Sequence, residues 1–224
     1  MKKPILLALL SAVLLFGFTA CSGKPADPAN STQTAGGYTM VKQNPVQLPN
    51  EVQAGFDKAA AGEKLTPVAL IAQQIVAGTN DMILCQKDNE YKMIVIYRDL
   101  QGNAQLSKTS AFTLTDYTQG GGEAKNEVLA GGWYAPAEVT SLPLPDEAKT
   151  ALDKALSGFV GSNIKPMALL GTQVVAGTNY AILCRVTPVT PDAISSVQVV
   201  TVYADLQGNA SFIIFSPIDP AKFS

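Results

Sequence analysis

Two cysteines, Cys85 and Cys184, and two copies of Asp-Leu-Gln-Gly-Asn, beginning at Asp99 and Asp205, are the residues of this chain whose types and spacing could do chemistry. The pentapeptide has the Asp and Gly of a calcium loop, but it lacks the bidentate Glu and the further acidic ligands such a site needs. It is read as turn chemistry. Each cysteine follows an isoleucine by two positions, Ile83 and Ile182, so a strand period puts thiol and isoleucine on one core-seeking face. Both are expected to be buried free thiols acting as small hydrophobes. The 224 residues include no histidine, which removes Ser-His-Asp and Cys-His catalysis and every His-ligated zinc site. No Walker-type loop or GxGxxG precedes a helix, and no pair among the 18 acidic residues stands out by position. Neither an enzyme, a metal nor a cofactor is expected.

What must position these residues is a duplicated unit. Gln74-Ile-Val-Ala-Gly-Thr-Asn-Asp-Met-Ile-Leu-Cys85 returns as Gln173-Val-Val-Ala-Gly-Thr-Asn-Tyr-Ala-Ile-Leu-Cys184, 99 residues later. Upstream, Leu48-Pro49-Asn50-Glu51 returns as Leu144-Pro145-Asp146-Glu147, 96 residues later, and Gly36-Gly37-Tyr38 as Gly131-Gly132-Trp133. Downstream, Tyr97 to Ala104 returns as Tyr203 to Ala210, 106 residues later. The offset changes between these segments and not inside them, which places insertions in loops.

Each unit predicts one helix followed by four strands. In the second copy Ala148, Leu152, Ala155, Leu156 and Phe159 share one helical face, with Pro145-Asp146 as a start and Gly158 as a stop. The first copy repeats this through Val52, Phe56, Ala59 and Ala60, ending at Gly62, although Gly55 inside the helix costs up to about 1 kcal/mol relative to Ala. Strands are expected over Val68–Val76, Met82–Lys87, Tyr91–Tyr97 and Gln105–Leu114, with turns at Ala77-Gly78 and Asp99–Asn103. The second copy runs in the same order and closes with Phe212-Ile213-Ile214-Phe215. The resulting expectation is an α+β fold, two tandem domains each with one helix packed on a four- to five-stranded antiparallel sheet. The domains are set at 36–115 and 131–224, with a flexible linker at 116–130 that contains Gly120-Gly121-Gly122 and lets them move.

The octapeptide Gln173-Val174-Val175-Ala176-Gly177-Thr178-Asn179-Tyr180 resembles the hairpin of the cystatin and stefin family, inhibitors of papain-like cysteine proteases. The resemblance implies cystatin-like domains and a reversible, non-covalent inhibitor. In that family a glycine-bearing trunk, a QxVxG hairpin and a second hairpin enter the protease cleft together without reacting. Carried over to this sequence, the protease-binding residues are Gly132, Gln173, Val174, Val175, Ala176, Gly177 and Leu206 in the second copy. Their first-copy counterparts are Gly37, Gln74, Ile75, Val76, Ala77, Gly78 and Leu100. The alternative is a non-inhibitory surface module that uses the same tips for another protein or peptide.

The N-terminus supplies an address. Lys2 and Lys3 precede an apolar stretch from Ile5 to Phe16, too short for a membrane span, and Phe18-Thr19-Ala20-Cys21 is similar to a bacterial lipobox. Residues 1–21 are read as a lipoprotein signal ending at a lipidated Cys21, and 22–35, rich in Pro, Ser, Thr, Asn and Ala, as a flexible tether reaching at most about 45–50 Å. The expected location is the cell envelope, anchored to a bacterial membrane through lipid alone and facing outward. A net charge of −2 gives no electrostatic reason to expect nucleic acid as a partner.

Overall fold

The computed structural model describes residues 37–40, 48–120 and 131–224, with backbone only at 140–141. Cys21, the signal at 1–21, the tether at 22–35, Gly36 and linker residues 121–130 lie outside the described residues. Along the chain come β1 (Tyr38–Met40), α1 (Asn50–Ala59), β2 (Thr66–Val76), β3 (Gly78–Lys87), β4 (Glu90–Arg98) and β5 (Ala104–Phe112). A 3-10 turn at Leu114–Tyr117 ends the first repeat. The second repeat holds β6 (Trp133–Tyr134), β7 (Thr140–Ser141), α2 (Asp146–Leu156), β8 (Ser162–Val175), β9 (Gly177–Pro188), β10 (Ser196–Ala204) and β11 (Ala210–Pro217), then a 3-10 turn at Pro220–Lys222. One sheet has the order β1-β2-β3-β4-β5; the other runs β11-β10-β9-β8-β6, with β7 also paired to β8. All pairings are antiparallel.

The expected α+β class is overturned. The described residues are mostly β and contain only two α-helices, of 10 and 11 residues, against two large sheets. Nor do the repeats form two separate helix-on-sheet domains, because all described residues belong to one compact unit. The physical reason lies in the second face of each sheet. In β4, Ile94 and Ile96 face α1 together with Val52 and Phe56, while Met93 and Val95 face the other way. In β10, Val200 and Val202 face α2, while Val197 and Val199 face away. Those away-facing residues meet in a single buried cluster that draws on Ile71, Met82 and Leu84 of one repeat and Met167, Leu170 and Leu183 of the other. A strand that is apolar at both parities cannot leave either face in water, so the sheets stack and the helices cover the outside.

Aromatic side chains close this shared layer. Phe112 stacks on Tyr117 at 4.7 Å between ring centroids and on Phe223 at 6.1 Å. Tyr117 and Phe223 are repeat equivalents, so each 3-10 turn contributes the same kind of wedge. Buried polar groups tie the repeats as well. Tyr91 Oη donates to the Leu170 carbonyl at 2.9 Å, and Gln86 Nε2 donates to the Pro136 carbonyl at 2.6 Å. Separating the halves would expose this cluster to water and break both hydrogen bonds.

Local structure otherwise follows the sequence pattern closely. Gly62 and Gly158 each adopt a positive φ, +87° and +80°, just beyond the helices, and Cys85 and Cys184 are buried free thiols on the helix-facing sides. No helix among the described residues is long and apolar enough to cross a membrane.

A shared core makes cooperativity measurable. Leu170→Ala, at a fully buried site between the sheets, is expected to destabilise the protein by about 2–5 kcal/mol. It should lower one unfolding transition, with calorimetric and van't Hoff enthalpies equal. Two resolved transitions, only one of them shifted, would contradict the shared core.

Candidate functional site

In each repeat three chain segments converge at one end of the sheet. Antiparallel pairing puts the β2–β3 and β4–β5 turns on the same side, and the short strand β1 brings Gly37 there by pairing Tyr38 with Gln74. In the second repeat the β8–β9 and β10–β11 turns are joined by β6, which pairs Trp133 with Gln173. The tips are apolar and open: Ile75, Val76 and Leu100 are 44%, 42% and 82% exposed, and Val174, Val175 and Leu206 are 56%, 43% and 79%. Ala77 and Ala176 stand exposed at the two hairpin apices.

Each apex is held by three devices. Val76 pairs with Gly78 across Ala77 alone, and Val175 with Gly177 across Ala176. So tight a reversal needs φ of +131° at Gly78 and +126° at Gly177, and a Cβ there would lie 2.3 and 2.2 Å from the carbonyl oxygens of Arg98 and Ala204. Only glycine fits. Next, Tyr97 Oη donates to the Ala77 carbonyl and Tyr203 Oη to the Ala176 carbonyl, both at 2.5 Å, clamping the apex to the neighbouring strand. Finally, the glutamines work inward. Gln173 is buried, its Oε1 accepts from Asn179 Nδ2 at 2.6 Å, and its Nε2 donates to the Gly131 carbonyl at 2.8 Å. In the first repeat Asn80 Nδ2 donates to Gln74 Oε1 at 2.7 Å.

These contacts sort the residues singled out from sequence. Ile75, Val76, Ala77, Leu100, Val174, Val175, Ala176 and Leu206 form surface at the tips, and Gly37 is exposed beside them. Gln74 and Gln173 brace the loop, Gly78 and Gly177 shape it, and Gly132 is buried behind it. Tyr97, Tyr203, Asn80 and Asn179 were missed as supports, although all four recur between the copies.

The second turn is capped by its own aspartate. Asp99 Oδ1 accepts from the backbone N–H groups of Gln101 and Asn103 at 2.9 and 2.8 Å, and Oδ2 accepts from Asn103 Nδ2 at 2.7 Å. Asp205 repeats this at 2.9, 2.8 and 2.8 Å. The Asn103 and Asn209 side chains, followed by the backbone donors, hold both carboxyls below the usual aspartate range.

Support beneath the tips differs between the repeats. Buried Asp81 accepts from Arg98 through Nε and, at 3.2 Å, through Nη2, and also from Gln73 Nε2 at 2.7 Å. Arg98 reaches this position across α1, where a Cβ on Gly55 would stand 2.6 Å from Arg98 Cδ. In the second repeat Ala151, Tyr180 and Ala204 occupy the three equivalent positions as an apolar set. The helix glycine is thus explained by the ion pair it admits.

Burial pushes both the Cys85 and Cys184 thiols well above their ordinary range, so neither is a thiolate nucleophile. Among the described residues no group of three or more His, Cys, Asp or Glu could hold a metal ion. Comparison with protein-family models, curated proteins and solved structures returns no match.

The capped turns carry a pH dependence. A carboxyl with a lowered folded pKa stabilises the fold fully above its unfolded value, about 3.9 for Asp, and loses that contribution as pH falls through the folded value. Amide exchange at Gln101, Asn103, Gln207 and Asn209 should stay protected near neutral pH and lose protection as the pH drops below about 3.9. Protection that persists unchanged through that range, or that survives Asp205→Ala, would show that the carboxylates do not hold the turns.

Proposed function

We propose that this protein is a non-catalytic, reversible inhibitor of papain-like cysteine proteases, held at the outer face of a bacterial envelope by lipid on Cys21. The observation that carries the reading is the convergence, in each repeat, of an apolar hairpin apex and an apolar second turn on one exposed edge, both braced from behind. The likeness of Gln173–Tyr180 to the cystatin and stefin hairpin supplies the target class. Each aliphatic tip residue buried in a partner's cleft contributes roughly 1.5–3 kcal/mol. Tips that are already ordered lose little conformational freedom on docking. The second repeat, with the fuller motif, is the principal inhibitory edge.

One observation favours a second reading, a binding module for another protein or peptide. Gly132 is buried, so the second repeat offers two apolar turns without an exposed trunk glycine beside them. Titration separates the two. Protein spanning residues 36–224 is expected to inhibit papain at nanomolar to micromolar concentrations, with the paired change Val174→Asp and Leu206→Asp weakening inhibition at least tenfold, about 1.4 kcal/mol or more. These exposed positions leave the scaffold intact, unlike Gly177. Absence of inhibition by the parent protein rejects the inhibitor and leaves the binding module.

The anchor has its own test. Cys21→Ser should move the protein from the membrane fraction to the soluble fraction, and unchanged partitioning would remove lipid from the account.

A further inference from the structure

The two repeats share a scaffold but not an edge, and the difference lies away from the tips. At the far side of the second sheet, β11 pairs with β10 and, among the described residues, with no other strand. Its segment Ser211-Phe-Ile-Ile-Phe-Ser216 is apolar, and the stretch from Leu206 to Ile218 carries no charge. Phe159, just after α2, packs on Phe212 and Phe215 at 5.0 and 5.8 Å between ring centroids, extending the apolar strip to Val160, which is 85% exposed. The equivalent edge strand of the first repeat, β5, carries Ser107, Lys108 and Thr109 where β11 has Ile213, Ile214 and Phe215, and Glu63 and Lys64 where the second repeat has Phe159 and Val160. The first repeat therefore shows that this scaffold folds with a polar, lysine-guarded edge, the usual protection against strand addition. The apolar edge of the second repeat is not a requirement of the fold.

β11 shares with β5 a bulge that sets which side chains a partner strand would meet. Thr201 pairs with Ile214 and Val202 with Phe212, so Ile213 is the extra residue of a bulge. The bulge places Phe212 and Phe215, three positions apart, on the same face, opposite Val202 and Val200 of the α2-facing core. In an unbulged strand they would point to opposite faces. We infer that β11 pairs antiparallel with β11 of a second copy about a two-fold axis between Ile213 and Ile214, making a symmetric dimer with a sheet continuous across both chains. That axis sets Phe212 opposite Phe215, Ile213 opposite Ile214 and Ser211 opposite Ser216, because the segment reads the same in both directions. A two-fold axis requires paired residues to share a face, a condition that the bulge alone satisfies at Phe212 and Phe215. Like meets like at every pair, no charges confront each other, and the unpaired backbone groups of the edge gain partners.

Sedimentation equilibrium of the full chain in density-matched detergent tests this. The parent protein is expected to dimerise, and the paired change Ile213→Ser and Ile214→Lys, which copies β5, to weaken association at least tenfold with an unchanged circular dichroism spectrum. A second variant guards against misfolding of the first. With Ser211→Cys and Ser216→Cys together, mild oxidation should give a covalent dimer whose bridges join position 211 of one copy to 216 of the other, as read by mass spectrometry of peptides. A parent protein that stays monomeric, open-ended oligomers, a dimer indifferent to the β5-like substitutions, or bridges joining 211 to 211 would each overturn the proposal.

Discussion

Burial of both faces of both sheets is the constraint on which the rest of this molecule depends. Strands such as Met93-Ile94-Val95-Ile96 and Val199-Val200-Thr201-Val202 present side chains to a helix on one side and to the sister sheet on the other. The order of layers is therefore helix, sheet, sheet, helix. Because the central layer is built from residues of both repeats, neither repeat has a complete core alone. The aromatic wedges at Tyr117 and Phe223, and the hydrogen bond from Tyr91 to Leu170, belong to the same closure.

Rigidity at the tips follows from that closure. A strand gripped on two faces cannot slide, so its turn emerges at a defined height above the sheet. The apex is then secured by backbone-directed contacts: a glycine that no side chain could replace, a tyrosine hydroxyl on the apex carbonyl, and an amide brace between neighbouring strands. All three devices leave the aliphatic side chains of the apex free of internal duties. Among the described residues nothing covers them, so each repeat presents a small apolar patch at its tip.

Duplication also separates what the scaffold demands from what each copy has adapted. The apex, the glutamine brace and the aspartate-capped turn recur. The support beneath them does not: Gly55, Asp81 and Arg98 change together into Ala151, Tyr180 and Ala204, an ion pair exchanged for apolar packing of similar bulk. Such joint replacement is expected where removing one partner alone would strand a buried charge. Edge strands β5 and β11 have likewise diverged as blocks, one polar and one apolar.

Much of the local structure was legible from residue order. Helix faces and stops, the strand segments, the tight turns at Gly78 and Gly177, and the buried cysteines all rest on short-range periodicity and on backbone conformations few residues tolerate. The identity of the exposed tip residues was legible for the same reason. What sequence alone misjudged was the class of fold, because an apolar run such as Tyr91 to Tyr97 reads as a strand without saying that its second face is covered. Only tertiary structure decided that the cover is the sister sheet, that Gln173 points inward while Val174 and Val175 point out, and that Gly55 exists to let Arg98 through. Those outcomes depend on contacts between residues tens of positions apart, where the free energy comes from which surfaces meet and no local preference carries the information.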